Sequence, residues 1–349
     1  MYKSKNKTLE LITIKDIAKA LNLSTSTVSR ALRGSYEINP DTKKMVIEYA
    51  EKYNYRPNPI ALSLKENKSR SIGVIVPEID NPFFSQVING IEAISYNRGY
   101  HVVIFQSHES FERENINLKH IASRRVDGLL ISLAGETNDV SQLKELNEKG
   151  MPIVLFDRVS DEINTHKVIS DNFEGAFTAT EHLIRGGRRR IAHISGSPYL
   201  SITKERVRGY IAALNKYEIP VDDALIKYSN YSLENIETFI DELLSEKHPP
   251  DGILTVSDRL ALGCLATLKK KHITIPEQIA MVGFTNLKAA SMLEPALTTV
   301  VQPSLEMGQR SAELLLDLIE RKPSSIPQTY QTFKLYTELI IRDSSVVKV

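Results

Sequence analysis

From residue 71 onward, short apolar runs alternate with helix-length amphipathic segments, and that alternation confines the chain to a narrow set of folds. Ile72 to Val76, Val102 to Phe105, Gly128 to Ile131, Ile153 to Phe156, Ile191 to Ile194, Gly252 to Val256 and Ala280 to Phe284 read as buried strands. Between them lie helical patterns over Phe83–Arg98, Phe173–Ile184, Arg206–Asn215, Leu260–Lys271 and Leu305–Glu320. Strand and helix in turn mean parallel, doubly wound sheets, and there are more strands than one such sheet usually holds. Two Rossmann-like lobes are the economical solution. Ligands of open α/β sheets sit at the carboxyl ends of the strands, here in a cleft between lobes.

The first 70 residues differ in kind. They carry 14 Lys and Arg against 7 Asp and Glu, leaving 30 against 36 for the remainder, so a head of net +7 sits on a body of −6 although the whole chain is only +1. A phosphate-binding module on a body that does not bind nucleic acid has this asymmetry, and so does a solvated basic tail. Motifs decide between them. Ile14, Ile17, Ala18 and Leu21 fall at helical spacing behind Thr13 as N-cap, with Asp16 at the third helical position. Ser24 caps a second segment in which Val28, Ala31 and Leu32 form one narrow apolar stripe. Its other face is small hydroxyls and an arginine, groups that read base edges in a major groove. A third helix opens at Asn39-Pro40-Asp41-Thr42, and Met45, Val46, Tyr49 and Ala50 supply its buried stripe.

The stretches Thr-Ile-Lys-Asp-Ile-Ala, Ser-Thr-Ser-Thr-Val-Ser-Arg-Ala-Leu, Tyr53-Asn54-Tyr55-Arg56-Pro57-Asn58 and Ala61-Leu62-Ser63-Leu64 closely resemble the headpiece of the LacI/GalR regulators. In the body, the marks of the same family are Asp80-Asn81-Pro82-Phe83-Phe84, Asp127-Gly128-Leu129-Leu130, Phe156-Asp157-Arg158, Ser170-Asp171-Asn172, Arg206-Val207-Arg208-Gly209-Tyr210, Val282-Gly283-Phe284 and Leu297-Thr298-Thr299-Val300. The resemblance runs from about Thr13 to Asp343 and extends to periplasmic sugar-binding proteins. It implies an all-α helix-turn-helix headpiece (1–57), a hinge helix and linker (58–70), and an α/β periplasmic-binding-protein-like core (71–349). Lobe 1 of that core would span about 71–165 and 300–328, and lobe 2 about 166–299 and 329–349.

On the same resemblance, the expected DNA contacts are Thr13, Ser24, Thr25, Ser26, Thr27, Ser29, Arg30, Asn39, Tyr55, Ala61, Leu64 and Lys65. Thr25, Ser26 and Arg30 take base-reading positions, and Thr27 and Ser29 lie nearer the backbone. Leu64 would wedge into the central minor-groove step. Read without the family, Leu64 could equally be a linker residue touching the core. The expected effector contacts are Phe84, Ser132, Asp157, Arg206, Ser257, Asp258 and Thr285, with a sugar or sugar derivative as effector. From the residues alone the alternative for Arg206, the strongest candidate, is a surface or inter-lobe salt bridge, and Asp157 could cap a loop or pair with its neighbour Arg158. Thr285-Asn286 and Ser257 depart from the family's usual Asp and Asn, which leaves the sugar's identity open and a non-sugar ligand as the alternative. Glu313 and Asp317 stand where the catabolite-control branch places basic residues, and they would repel a phosphorylated carrier protein.

No Gly-x-Gly-x-x-Gly, phosphate loop, Gly-x-Ser-x-Gly or His/Cys metal spacing appears, and the eight histidines are scattered, with His108 beside Glu109 read as a loop pair. No enzyme, cofactor or metal site is therefore expected. The lone Cys264 reads as a small core residue in a reducing compartment. With no apolar stretch behind Met1 to Lys7 and no run long enough to span a membrane, a cytoplasmic protein is expected. A periplasmic binding protein would explain the lobes but has no use for residues 13–66. The chain has no leucine heptad beyond Ser344, so a homodimer on a pseudo-palindromic operator is expected.

Overall fold

A computed structural model describes residues 12–55, 69–123, 126–229, 233, 235–321 and 329–346. The chain divides into two compact units at Ser69/Arg70, each described by itself.

The amino-terminal unit is three helices: α1 (Ile14–Ala20), α2 (Thr25–Leu32) and α3 (Pro40–Lys52). Each starts where a side chain satisfies a first-turn amide. Thr13 and Asp16 form a reciprocal capping box on α1, Ser24 Oγ accepts from Thr27 N at 3.0 Å on α2, and Asn39 Oδ1 accepts from Asp41 N at 2.9 Å on α3. Ile17, Ala18, Val28, Ala31, Val46 and Ala50 meet in one core, with Tyr49 and Tyr55 at its margin. Met45, expected in the buried stripe, is 42% exposed. Val46 and Ala50 already fill the narrow contact with α1 and α2, which leaves Met45 one residue round the helix in solvent.

The larger unit holds two six-stranded sheets. Its elements, in order, are β1 (Ser71–Val76), α4 (Pro82–Asn97), β2 (His101–Gln106), α5 (Phe111–Ser123), β3 (Gly128–Ile131), α6 (Ser141–Glu148), β4 (Ile153–Phe156), β5 (His166–Ser170), α7 (Asn172–Arg185), β6 (Ile191–Ser195), α8 (Ser201–Lys216), β7 (Ile226–Tyr228), α9 (Ile236–Ser245), β8 (Gly252–Thr255), α10 (Asp258–Lys270), β9 (Ala280–Phe284), β10 (Thr298–Val301), α11 (Ser304–Glu320), β11 (Thr332–Leu335) and β12 (Glu338–Ile340). The first sheet runs β11-β5-β4-β3-β1-β2 with parallel neighbours throughout, and the second runs β12-β10-β9-β8-β6-β7, parallel but for β10 with β12.

Three strands correct the expected lobe limits. Residues 166–170 and 332–335 were assigned to lobe 2, yet β5 and β11 pair in the first sheet; residues 300–301 were assigned to lobe 1, yet β10 lies in the second. The chain therefore crosses between lobes after Ser170, after Val301 and after Leu335. β2 is also an edge strand, half-exposed along its length, not a buried one.

Helix α11 returns to the first lobe and lies backbone to backbone on α4. A Cβ on Gly90 would overlap the Leu305 carbonyl, and one on Gly308 the Val87 carbonyl, so only glycine permits this crossing. Met307 and Leu315 of α11 thereby join Ile72, Val87 and Phe156 in the first lobe's core. No helix among the described residues is long and apolar enough to cross a membrane.

Candidate functional site

Two surfaces collect the residues singled out above. On the amino-terminal unit, α2 turns its apolar stripe inward and leaves Thr25, Ser26 and Arg30 exposed. Ser24 and Thr27 hydroxyls are 2.9 Å apart within the cap, and Ser29 Oγ accepts from Arg33 Nη2 at 3.1 Å, so these hydroxyls are engaged inside the unit. Thr13 and Asn39 are exposed caps, while Tyr55 is half-buried against the core. Ala61, Leu64 and Lys65 lie outside the described residues.

In the larger unit, the carboxyl ends of both sheets carry the second group. Beyond β4, Asp157 adopts φ +57° and is 3% exposed; Gln302 Nε2 donates weakly to its Oδ1 at 3.5 Å. Burial pushes the Asp157 carboxyl above its ordinary range, while the Arg158 and Arg206 charges pull the other way. Arg158 keeps Nε 4.0 Å from Asp157 Oδ2, the expected neighbour pair in its loosest form, and grips both carboxylate oxygens of Glu109 at 2.6 and 3.1 Å. This corrects the reading of Glu109 as a partner of His108, which is exposed. Glu109 also accepts from Gly135 N at 2.7 Å, tying the ends of β2, β3 and β4 together.

Arg206, on α8 of the second lobe, is 2% exposed. Its Nε donates to Asn172 Oδ1 at 2.8 Å, Nη1 donates to the Val256 carbonyl, and the guanidinium stacks 3.8 Å above the Phe284 ring. It is a buried, oriented cation at strand ends, not a surface salt bridge.

Four hydroxyls of the same unit are at most 1% exposed and have no hydrogen-bond partner among the described residues: Ser107 after β2, Ser132 after β3, Ser195 ending β6 and Thr203 in α8. A buried polar group left unpaired costs roughly 1–3 kcal/mol. Of the four, only Ser132 was expected from the sequence. The other three, with Asn172, Gln302 and the Glu109–Arg158 pair, were not, because their significance rests on burial and distant partners that no local pattern announces.

A cavity of about 350 Å³ opens between the lobes, lined by Asn81, Phe83 and Gln86 from the first and Ser257, Asp258 and Thr285 from the second, among others. Its size suits a small molecule. Phe83 lines it; Phe84, the expected residue, is 1% exposed within the first lobe's core. Ser257 caps α10, its Oγ accepting from Leu260 N at 3.4 Å. Asp258 accepts from Leu287 N and from Thr299 Oγ1, both at 2.6 Å, and burial raises its carboxyl to about 6 against those bonds. Thr285 holds φ +106°, rare for a β-branched residue, fixed by its amide donating to Val300 O at 2.7 Å. Glu78 and Arg259 form an ion pair from one lobe to the other beside this opening. Glu313 and Asp317 on α11 pair with Arg310 and Arg98, which blunts the repulsion of phosphate expected of them.

Comparison with known proteins follows this division. Residues 13–58 match the model for bacterial regulatory proteins of the lacI family, and residues 69–338 match that for periplasmic binding proteins and the sugar-binding domain of the LacI family. An HTH-type transcriptional repressor PurR of Aliivibrio fischeri (strain MJ11) is 32% identical over 336 residues, covering 96% of this chain and 98% of its own. Among solved structures, the complex of the transcriptional regulator CelR with cellobiose is 28% identical with a TM-score of 0.71, covering 95% of this chain and 99% of that one. The lac repressor dimer bound to operator and the anti-inducer ONPF shares the fold, with a TM-score of 0.83 at 23% identity over 97% of this chain and 100% of that one.

Proposed function

Because the chain belongs to the lacI family of bacterial regulatory proteins, and so is a DNA-binding transcriptional regulator, we propose that it is a cytoplasmic homodimeric repressor whose operator affinity is set by an uncharged sugar held between the two lobes. The observation that carries the effector is the set of four buried hydroxyls without hydrogen-bond partners among the described residues, three of them at the carboxyl ends of strands and Thr203 in α8. A polyol supplies donors and acceptors in the number such groups need.

Charge supports a neutral ligand over an anionic one. The buried cations Arg158 and Arg206 face Asp157 and Glu109, and of the cations on the cavity lining Arg259 pairs with Glu78 while Lys288 is exposed, so the interior of the site carries little net positive charge for a phosphate. The CelR structure, with its cellobiose, is consistent with a sugar in a fold of this kind.

Thr25, Ser26 and Arg30, exposed on one face of α2, are the base-reading set in this proposal. The apolar groove of about 620 Å³ along α10, lined by Leu262, Leu265, Ile273, Ile275 and Leu293, is the face we assign to the second copy. An effector touching both lobes favours one angle between them, and residues 58–70 pass that bias to the headpieces.

Selection of duplexes from a random library by the full-length protein tests the reading, followed by titration with cellobiose, glucose, ribose, glucose 6-phosphate and a nucleobase. A pseudo-palindromic site whose affinity changes with a neutral sugar is the expected result. Response to the phosphate ester or the nucleobase alone would overturn the effector class, and absence of any selected site would overturn the operator.

A further inference from the structure

Among the described residues, the ion pair on the exposed face of α2 joins the arginine expected to read bases to an acid. Arg30 Nη1 lies 3.2 Å from Glu37 Oε2, with the two side chains 54% and 50% exposed. Glu37 is not on a loose loop. Ser35 N donates to the Arg30 carbonyl at 3.1 Å, Gly34 N to Ala31 O at 3.0 Å and Lys43 Nζ to Gly34 O at 3.3 Å, while Ile38 packs against the core. The carboxylate is thus held at the rim of the surface that carries Thr25, Ser26 and Arg30. An acid there is unexpected on a face built to approach a polyanion, because it weakens every phosphate contact nearby.

We propose that Glu37 is a specificity-determining residue of the DNA interface, competing with the DNA for the Arg30 guanidinium and penalising its use as a phosphate clamp. This rests on the reading of α2 as the helix that enters the major groove. An exposed pair of this kind is worth a factor of about five at most. A bidentate contact to guanine O6 and N7 discriminates roughly 5- to 150-fold, enough to draw Arg30 away from Glu37. A single phosphate contact gives no comparable return once the neighbouring carboxylate repels the same phosphate. Glu37 therefore lowers affinity for all DNA but lowers it least where a guanine meets Arg30.

The test uses full-length wild type, Glu37→Gln, Arg30→Ala and the double variant. Each is titrated across a potassium chloride series against a duplex selected by the wild type, the same duplex with its contacted guanine replaced by adenine, and an unrelated duplex of equal length. Glu37→Gln is expected to bind the unrelated duplex several-fold tighter, with a salt slope steeper by about one per headpiece. Its preference for guanine over adenine should fall about five-fold. In the Arg30→Ala background the substitution should leave base preference unchanged. Equal changes on all three duplexes, or the same loss of preference without Arg30, would overturn the proposal. Failure of the wild type to select any duplex would overturn the DNA-reading role of α2 instead, which keeps the two claims apart.

Discussion

Arginine and small hydroxyls furnish both the outer face of α2 and the crevice of the larger unit, but in opposite surroundings. On α2, Arg30 is more than half exposed and Thr25 and Ser26 stand in solvent. In the crevice, Arg206 is 2% exposed and Ser132 and Ser195 are fully buried. Exposed cations act through a field screened by salt, and they suit a polymer of phosphates that arrives with its own counterions. Buried ones act through short, fixed hydrogen bonds in a low dielectric, where any unmatched charge is heavily penalised. On the proposed function, the same chemical groups would select a long polyanion in one place and a small neutral molecule in the other. Environment, not residue type, makes the difference.

The contrast breaks most sharply at Arg206. Its guanidinium spans Asn172 Oδ1 and the Val256 carbonyl while stacked on Phe284, a geometry that a lysine's single ammonium cannot reproduce. Arg206→Lys should weaken effector binding about 10- to 100-fold by calorimetry, in line with the loss of one or two charge-assisted hydrogen bonds. Effector-free operator binding should stay within about two-fold of wild type, the spread expected of a change far from the interface. Equal loss of both would make Arg206 an internal strut of the second lobe.

A smaller effect is expected at the rim. Glu78 and Arg259 join the lobes across the opening, and as a partly exposed pair they contribute at most about 1 kcal/mol. If the pair belongs to the closed arrangement, Glu78→Gln should lower effector affinity by up to about five-fold, and the loss should shrink at high salt. An unchanged affinity at low ionic strength would remove the pair from the closing motion.

How much of this was legible in the sequence followed the range of the interactions. The helix starts at Thr13, Ser24 and Asn39 could be read directly, because each cap bonds an amide two or three residues away. Central strands such as β3 and β4 were legible as wholly apolar runs. β5 was not, since it opens with His166 and Lys167, and β11 alternates between exposed and half-buried as an edge strand does. In the crevice, the residue types were legible but their partners were not. Arg206 meets Asn172 and Val256 from 34 and 50 positions away, and Arg158 meets Glu109 from 49. Only the fold brings such groups together, which is why Ser195 and Thr203 carried no signal.

The finest test of buried against exposed charge is the pH dependence of stability. Glu114, on α5, is 2% exposed and accepts from Ala134 N at 2.7 Å and Thr137 Oγ1 at 2.9 Å. Burial raises its carboxyl from 4.5 to about 7, outweighing those bonds and the Arg158 charge. Between these values the folded state holds a proton that the unfolded chain has released, so stability falls as pH rises through the window and the loss is complete above about 7. Asp258, raised from 3.8 to about 6, adds the same sign at lower pH. His193, fully buried and lowered from 6.5 to about 4, works the other way, since its stabilising neutral form is lost as pH falls. Glu114→Gln keeps an acceptor for Ala134 N, offers its amide as a donor to the Thr137 hydroxyl, which can rotate to accept, and removes the titration. Its melting temperature should gain on wild type by a few degrees between pH 5 and pH 8, while the Asp258 and His193 contributions, common to both proteins, cancel in the difference. Parallel curves over that range would mean that the carboxyl titrates near its ordinary value and that the first lobe's strand ends are wetter than the packing around Glu114 implies.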